Sequence, residues 1–499
     1  MSRIILLISI FLYGNIQAQP KYNVKNFGAR ANGITDDTRA IQKAINKAAQ
    51  TKNATVYFPA GTYLIGSYTR TPNYLENYCL LLKPFIKIKG AGSKSKIKIA
   101  NGLFSSPDSN ANAHLFLGRE INDVSFSDLY IDMNGVNNLV PEKVIKNGAA
   151  IFAYGGSNIH IQNLTIKNCS GTNMVNIMSR GNGLGIKNSR FINGGNYVGS
   201  KTKLNIHQFD FSFLYSEWEN TTIDGCIMKQ ENVSLALQDY TGAVELHGSN
   251  SSLTNSTITG CFPAVYITSS NPGVLNNVMV RNNKMLQCTD GVSFWLVNPM
   301  SNININNNII QLTRPRFPLA MNYAIKIPNG NAAEYNAINA NASFIHGLKI
   351  ENNTIQADSM NVLSGGIMLH SVTNGNIAYN KIQGVNHAGI AMLGSKFGCD
   401  SILFYQNSFA QFTPNPVKES VPGYIVITDT YSPGKKDAPG FKNIIFKNNN
   451  AMSNNNNAKT MAKFKSVFIA LPQHQQKEIK LISNQFNLPQ QSEARVITP

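Results

Sequence analysis

The sequence has little charge, few acidic residues and no long apolar run beyond its first residues. Only 14% of the 499 residues are charged and 42% are hydrophobic, which excludes an intrinsically disordered chain. Nothing after the amino-terminal segment approaches the about 20 apolar residues that a membrane-spanning helix needs. The six cysteines include no CxxC pair, so neither a disulfide scaffold nor a zinc site is predicted.

The charge that is present is mostly positive. Forty-four Lys and Arg residues stand against 26 Asp and Glu residues, which gives a net charge of +18 and an isoelectric point near 9.5. A strong positive excess indicates an anionic partner. The basic residues are spread through predicted turns rather than gathered in a block, so nucleic acid is not the expected partner.

The amino terminus has the features of a secretory signal peptide. Arg3 is followed by an apolar run from Ile4 to Tyr13 and by a small residue, Ala18. We therefore expect export to the periplasm, the cell surface or the medium, with a mature chain that begins near Gln19.

The rest of the chain repeats one short pattern. Strand-like alternations of apolar residues recur with Gly or Asn between them, and helical periodicity is nearly absent. The clearest copies of the first strand of the repeat lie at 150–154, 243–247, 264–268, 291–295, 324–328, 366–370, 389–393 and 424–428. A period of roughly 20 to 35 residues built from short strands predicts a solenoid. We expect an all-β fold, a parallel β-helix, because single coils cannot bury their apolar faces alone.

Four regions follow from this pattern. Residues 1–18 are the signal peptide, 19–84 are an amino-terminal cap with the first coils, 85–490 are β-helix coils, and 491–499 are a polar tail. Within the cap, Asp36 and Asp37 precede an amphipathic helical pattern. They are interpreted as helix-capping residues rather than as catalytic carboxylates.

Asparagine recurs at the ends of the predicted strands, and two interpretations remain open. Stacked Asn side chains can hydrogen-bond from coil to coil. Asn also tolerates the left-handed backbone conformation of turns. Cys261 and Cys288 occupy equivalent places in adjacent coils, so they form either a disulfide or, as we favour, buried free thiols.

The opening of the chain resembles a known superfamily. Its segments at 22–29, 32–38, 40–45 and 56–63 resemble the start of pectin-lyase-like right-handed β-helix proteins, a group that includes pectate lyases, polygalacturonases, alginate-active enzymes and phage tailspikes. The resemblance implies a secreted carbohydrate-active protein with a right-handed parallel β-helix. It does not select a chemistry, because this fold serves lyases, hydrolases, epimerases and binders. The set of motifs that would mark a polygalacturonase is absent, although Asp290 begins a coil as one of them would.

Strand alternation selects a candidate cleft on one sheet. The third and fifth residues of each first strand are expected to point outward. Five residues are the catalytic candidates: His247, Tyr266, Glu245, Lys326 and Asp210. Six more are candidates for substrate binding: Trp295, His370, Arg314, Arg316, Asp239 and Tyr240. A coil spacing of about 4.8 Å puts Lys326 roughly 14 Å from Glu245, a distance suited to separate sugar subsites.

Two chemistries fit such a cleft. In β-elimination on a uronate, His247 or Tyr266 would serve as base or acid, and Lys326, Arg314 or Arg316 would neutralise the carboxylate. If water were the leaving group, the reaction would be a dehydration. Hydrolysis would instead pair Glu245 with Asp210 or Asp239. We rank elimination on an anionic polysaccharide first, hydrolysis second, and a non-catalytic glycan-binding surface protein as a further alternative.

The sequence leaves the cofactor and the oligomeric state open. Calcium is conceivable because Asp210, Asp239 and Glu245 can converge, but no dense carboxylate loop is present.

Overall fold

The protein is described here from a computed structural model. The structure describes residues 19–72, 76–104, 113–138, 148–169, 171–194, 211–231, 241–269, 273–313, 322–328, 344–357, 364–394, 398–411, 423–428, 440–452, 465–471 and 473–487. In these ranges, no helix is both long enough and apolar enough to cross a membrane.

Parallel strands, numbered β1–β40 in chain order, form two sheets in the described residues. The larger sheet has 25 strands: β1 Lys21–Asn23, β3 Ala54–Phe58, β5 Tyr78–Leu81, β6 Ile86–Gly90, β8 His114–Ser127, β10 Ile151–Gln162, β12 Asn173–Lys187, β14 Phe211–Ser216, β15 Thr222–Asp224, β17 Thr241–Leu246, β18 Ser251–Thr254, β20 Val265–Thr268, β21 Leu275–Arg281, β23 Val292–Trp295, β24 Met300–Asn306, β26 Asn322–Lys326, β27 Ile345–Glu351, β29 Ser364–Leu369, β30 Val372–Ala378, β32 Ala388–Leu393, β33 Cys399–Tyr405, β35 Gly423–Thr428, β36 Phe441–Lys447, β38 Lys465–Ala470 and β39 Ile479–Ile482. The smaller sheet has 15 strands: β2 Asn32–Asp36, β4 Gly61–Ile65, β7 Ser95–Ile99, β9 Tyr130–Asp132, β11 Thr165–Cys169, β13 Arg190–Gly194, β16 Ile227–Lys229, β19 Thr257–Thr259, β22 Lys284–Cys288, β25 Ile309–Leu312, β28 Thr354–Ala357, β31 Lys381–Gln383, β34 Ser408–Ala410, β37 Asn450–Met452 and β40 Gln485–Asn487.

The two sheets make three faces of a parallel β-helix, as the sequence repeats predict. Strands β8, β10 and β12 are long enough to turn one corner, and they join faces 1 and 2 into the larger sheet. Face 1 comprises β5, the first halves of those three strands, and then β14, β17, β20, β23, β26, β29, β32, β35 and β38. Face 2 comprises the remaining strands of the larger sheet, and the smaller sheet is face 3.

Alternation along each face-1 strand fills a continuous core. Val244 and Leu246 of β17 are fully buried, as are Val265 and Ile267 one coil later. All four belong to the main hydrophobic cluster, which extends from Val24 to Leu471. The residues between them, Glu245 and Tyr266 among others, therefore point away from the core.

The corner between faces 2 and 3 has a constant length. From β8 onward, two residues separate each face-2 strand from the following face-3 strand. The first residue usually has a positive φ: Asn282, Asn307, Asn352, Tyr379, Gln406, Asn448 and Ser483 share this geometry. In the later coils the second residue is an asparagine: Asn283, Asn308, Asn353, Asn380, Asn407, Asn449 and Asn484. The turn interpretation of the asparagines therefore holds for the first position of the corner, and the stacking interpretation holds for the second.

The second-position asparagines form a hydrogen-bonded ladder along the solenoid. Nδ2 of Asn353 donates to the Ile305 carbonyl at 2.9 Å and to Oδ1 of Asn380 at 3.0 Å. Its own Oδ1 accepts from the backbone N and from Nδ2 of Asn308, both at 3.0 Å. The same contacts recur in the neighbouring coils, so each ladder amide from Asn308 to Asn449 is fully bonded although its side chain is buried.

The main helix, α1, spans Thr38–Ala48 and packs against β1, β3 and β5. Its buried face includes Ile41, Ala44 and Ile45, as the amphipathic pattern predicts. Asp37 occupies the N-cap position of α1, but its side chain makes no capping hydrogen bond, because its carboxylate accepts the N–H groups of Arg30 and Ala31 instead. That this helix covers the open end of the solenoid stays a prediction.

Asp36 holds the start of α1. Its Oδ1 accepts the Thr38 N–H at 2.9 Å, the Thr38 hydroxyl, and the Gly66 N–H at 2.9 Å. Partial burial alone would raise the pKa of Asp36, but these hydrogen bonds outweigh it and lower the pKa. The remaining helical segments are short: α2 at Gln473–Gln476, and 3₁₀ turns at Val24–Phe27, Gly92–Lys94 and Gly135–Asn137.

The cysteines are buried free thiols, including Cys261 and Cys288. Burial is the largest cause of the raised pKa in both, and it brings the pKa of Cys288 to about 12. A disulfide between them is not formed, so the favoured alternative describes the structure.

Substituting one rung of the ladder is expected to destabilise the fold. Asn353→Ala leaves buried partners in both neighbouring coils unpaired, and we expect a loss of about 2–4 kcal/mol in the free energy of unfolding. Urea denaturation measures it. The matched control is Asn304→Ala, because that side chain donates only one long bond of 3.3 Å to the Asn302 carbonyl. Equal losses in the two variants would contradict a stabilising ladder.

Candidate functional site

Outward residues of face 1 form a line along the solenoid. Strand register pairs Tyr215 with Glu245, Glu245 with Tyr266, Tyr266 with Ser293, and Ser293 with Lys326. Lys326 is therefore three coil spacings from Glu245, or about 14 Å along the axis. The structure thus brings Glu245 and Tyr266 together and places Lys326 at the distance expected from the sequence.

Glu245 and His247 form a buried pair on the outer side of this face. His247 Nε2 lies 2.9 Å from Glu245 Oε1, and the two side chains are only 5% and 9% exposed. Two ionisable groups this far from solvent are costly unless they satisfy each other. The pair arises because residues two apart on a strand share a face.

Tyr215 and Glu217 extend the pair by one coil. The Tyr215 ring lies against the His247 imidazole, with 4.6 Å between centroids. The Tyr215 hydroxyl donates to Glu217 Oε1 at 2.9 Å, and Glu217 Oε2 accepts the Ser179 N–H at 2.6 Å. These contacts hold the imidazole between a carboxylate and an aromatic ring.

His247 lines a cleft of about 510 Å³ at the end of the face-1 strands. The charged residues that line it with His247 are Arg180, Glu217 and Glu219. The remaining walls come from 179, 181, 248, 249, 269 and 273–275. The cleft therefore combines an imidazole, a guanidinium and carboxylates within reach of one ligand.

Two buried polar atoms on the coils near Glu245 and His247 have no hydrogen-bond partner in the part of the chain that the structure describes. Oγ1 of Thr268, one coil after His247, and Oδ1 of Asn176, two coils before Glu245, make no hydrogen bond. Both belong to outward residues of face 1. Buried polar groups normally find a partner, so these two atoms are exceptions to the rule.

A second group of ionisable residues lies around Lys326. Its Nζ is 3.9 Å from Oδ2 of Asp290, which also accepts the Ser293 hydroxyl at 3.3 Å. Oδ1 of Asp290 accepts the Tyr323 N–H at 3.0 Å. Burial raises the pKa of Asp290, although Lys326 and these hydrogen bonds partly oppose the shift.

Histidines and aromatic residues continue the surface beyond Lys326. The Tyr323 hydroxyl lies 3.1 Å from Nδ1 of His387, and Nδ1 of His370 lies 3.2 Å from the Gly394 carbonyl. Burial lowers the pKa of both histidines. Trp295 is half-buried and pairs with Thr268 in the sheet.

Several predicted site residues lie outside the described residues: Asp210, Asp239, Tyr240, Arg314 and Arg316. Their roles stay predictions. Within the described ranges, no group of three or more His, Cys, Asp or Glu side chains is placed to hold a metal ion. Asp210 and Asp239, two of the three calcium candidates, lie outside these ranges, so whether the protein binds calcium stays open.

Sequence reasoning missed four charged residues of this surface: Glu217, Glu219, Arg180 and Asp290. Glu217 stands two residues after Tyr215, as His247 stands after Glu245, so the same alternation would have found it. Arg180 lies where β12 turns the corner, next to Ser179 with its positive φ, and no simple period locates it. Asp290 was noted only as the start of a coil.

Comparisons with curated proteins give partial matches. The chain is 36% identical over 179 residues to plasmin and fibronectin-binding protein A of Streptococcus pneumoniae, covering 34% of this chain and 24% of that protein. It is 38% identical over 117 residues to mannuronan C5-epimerase AlgE2 of Azotobacter vinelandii, covering 23% and 11%. It is 36% identical over 121 residues to alginate lyase 7 of the same organism, covering 23% and 13%. The chain thus spans a quarter or less of the length of these relatives.

Solved structures share the fold across nearly the whole chain. A tailspike protein mutant of E. coli bacteriophage HK620, in complex with a pentasaccharide, superposes with a TM-score of 0.64 at 14% identity. The match covers 96% of this chain and 80% of the tailspike. At this identity the likeness shows the fold alone.

A family profile settles the relationship. The family described as rhamnogalacturonase A/epimerase, pectate lyase-like, matches residues 21–312, which include Glu245, His247 and Tyr266. The parallel coils and the resemblance of the opening segments agree with that match. The chain belongs to the rhamnogalacturonase A/epimerase, pectate lyase-like family of parallel β-helix proteins.

Proposed function

We propose that this protein is a carbohydrate-active enzyme that removes the C5 proton of a uronate residue in an anionic polysaccharide, with β-elimination as the outcome. The observation that carries the proposal is the buried Glu245–His247 pair at the wall of the cleft. A buried, mutually hydrogen-bonded pair of a carboxylate and an imidazole at a cleft is typical of general acid–base catalysis.

His247 is the base in this mechanism, and Glu245 positions it. The carboxylate fixes the ring orientation and stabilises the imidazolium that forms when the C5 proton is taken. The electrons of the C5–H bond form the C4–C5 double bond, and the C4–oxygen bond breaks. Tyr266, one coil from Glu245, is the candidate to give a proton to the leaving oxygen.

Cations along the face suit the carboxylates of the substrate. Arg180 lines the same cleft as His247 and is placed to neutralise the charge that develops on the reacting uronate. Lys326 lies three coils from Glu245, so it suits the carboxylate of another sugar unit. The net charge of +18 favours the same class of substrate.

The names of the curated relatives support this first step. Mannuronan C5-epimerases and an alginate lyase are among them. Epimerisation at C5 and elimination both begin by removing the proton next to the carboxylate. They differ in whether a proton returns to C5 or the bond to the leaving oxygen breaks.

Two other functions stay as alternatives. Hydrolysis would need a second carboxylate beside Glu245, and Asp210 or Asp239 is the candidate for it. A glycan-binding surface protein without catalysis is also compatible with the fold, and one relative carries the name of a binding protein. Export, which either enzyme or binder requires here, is supported by the signal-peptide pattern of residues 1–18.

Replacement of the proposed base is expected to abolish elimination. His247→Ala should lower kcat on alginate, polygalacturonate or another polyuronate by about 100-fold or more, because a positioned base contributes that much. Ultraviolet absorbance of the new double bond measures the rate, NMR detects inversion at C5, and a reducing-end assay detects hydrolysis. Tyr266→Phe should slow the same signal.

The matched control is His346→Ala on face 2. His346 is exposed and contacts Thr373 at 3.1 Å, so its loss should leave kcat unchanged. Reducing ends without absorbance would instead support hydrolysis. If the wild-type protein gives none of the three signals, the non-catalytic glycan-binding function would be favoured over both enzymatic functions.

The role of Glu245 is tested by Glu245→Gln. The amide can still accept a hydrogen bond but carries no charge to stabilise the imidazolium, so kcat should fall while KM stays near the wild-type value. A rise in KM at constant kcat would mean that Glu245 binds substrate instead. Far-ultraviolet circular dichroism verifies that the variant is folded.

A further inference from the structure

A second pocket, of about 380 Å³, lies at the amino-terminal end of face 1. It is formed by α1, by residues 67–69, by β5 and by Lys83 just after β5. Its principal lining residues are Arg39, Lys83, Tyr68, Tyr78, Gln42 and Asn46. None of the chemistry described above uses it.

The pocket is basic. Arg39 and Lys83 contribute positive charge, and no Asp or Glu is among the described residues that line it. The Arg70 guanidinium stands beside it, 5.7 Å from the centroid of the Tyr68 ring. The nearby carboxylate of Asp36 does not line the pocket, and it accepts the N–H groups of Thr38 and Gly66.

Hydrogen bonds hold the polar wall of this pocket in place. Gln42 accepts the Leu81 N–H at 2.7 Å and donates to the Leu81 carbonyl at 3.1 Å, which ties α1 to β5. The same side chain donates to Asn46 at 2.9 Å. Half-buried Tyr78 adds an aromatic ring that packs against an apolar cluster on the outside of face 1. Cations, amides and aromatic rings are the groups that recognise acidic sugars.

The pocket and the His247 cleft are joined by one line of outward residues. The line runs through Lys83, Arg119, Tyr154, Met178, Glu217 and His247. Register pairs Tyr154 with Arg119 and with Met178, and backbone hydrogen bonds extend the pairing at both ends. Lys83 and His247 are therefore five coil spacings apart, or roughly 24 Å. Tyr154, midway, is 52% exposed and offers a ring face to a sugar.

We propose that this basic pocket is a second binding site for acidic oligosaccharide, separate from the cleft, and that it holds one end of a polyuronate whose reacting unit lies at His247. The second half of the proposal rests on the proposed function. The ligand is a chain of carboxylate-bearing sugars, because the pocket offers positive charge together with hydrogen-bonding and stacking groups.

The test uses the full chain with both cations of the pocket neutralised, Arg39→Gln with Lys83→Gln. Binding of polyuronate chains long enough to span both sites is measured by isothermal titration calorimetry. We expect the dissociation constant to rise about tenfold, the size of one lost charged hydrogen bond. Dimers and trimers that occupy only the cleft should bind as they do to the wild type.

The matched control removes the same two charges from the exposed side of the same helix. Lys43 and Lys47 do not line the pocket, so Lys43→Gln with Lys47→Gln tests the general effect of lower net charge. Equal weakening in the two double variants would overturn the proposal, as would equal affinity for an uncharged glucan. In both variants, far-ultraviolet circular dichroism verifies folding.

Turnover is measured in an experiment separate from the binding titration. If the protein is active, the pocket variant should raise KM for long chains, leave kcat unchanged, and have no effect on short oligomers. Selective loss of polyuronate binding with no turnover on any polymer would support the site and reject the enzymatic function. Turnover that is unaffected by the pocket variant, with unchanged binding, would reject the site and leave the enzymatic function in place.

Discussion

The constraint on which the structure depends is the two-residue corner between faces 2 and 3. Its first residue usually takes the left-handed conformation, and from Asn283 onward its second residue places an amide on the ladder, so that each of these later coils meets the next in one register. A slip of one residue would reverse every side chain of a strand from core to surface. A corner of constant length thereby keeps the same positions of each face-1 strand pointing outward.

That register explains how ionisable side chains, whose burial is unfavourable, come to lie outside the hydrophobic core and still away from solvent. Glu245, His247 and Asp290 are buried on the outer surface of face 1, and each has a bonded partner. The corner between faces 2 and 3 therefore carries the repeating frame, and face 1 carries the ionisable residues of the candidate site.

Much of the fold follows from the sequence because the repeat is regular. Apolar alternation gives the strands, and it also gives the outward positions of Glu245, Tyr266 and Lys326. Three things required coordinates. The hydrogen bond between Glu245 and His247 depends on rotamers, the position of Arg180 depends on the bend of β12, and the role of Asp37 depends on backbone N–H groups six and seven residues earlier. Periodicity predicts faces, but it does not predict which side-chain atoms meet.

The constant corner also makes the coil a unit of length. A whole coil could be added or lost between Lys83 and His247 without changing the length of the corners on either side, because two residues separate each face-2 strand from the next face-3 strand from β8 onward. Each such change would move the basic pocket by one strand spacing, about 4.8 Å, relative to the cleft. The number of coils between the two sites therefore sets the length of polysaccharide that can bind to both. That length changes in steps comparable to one sugar unit.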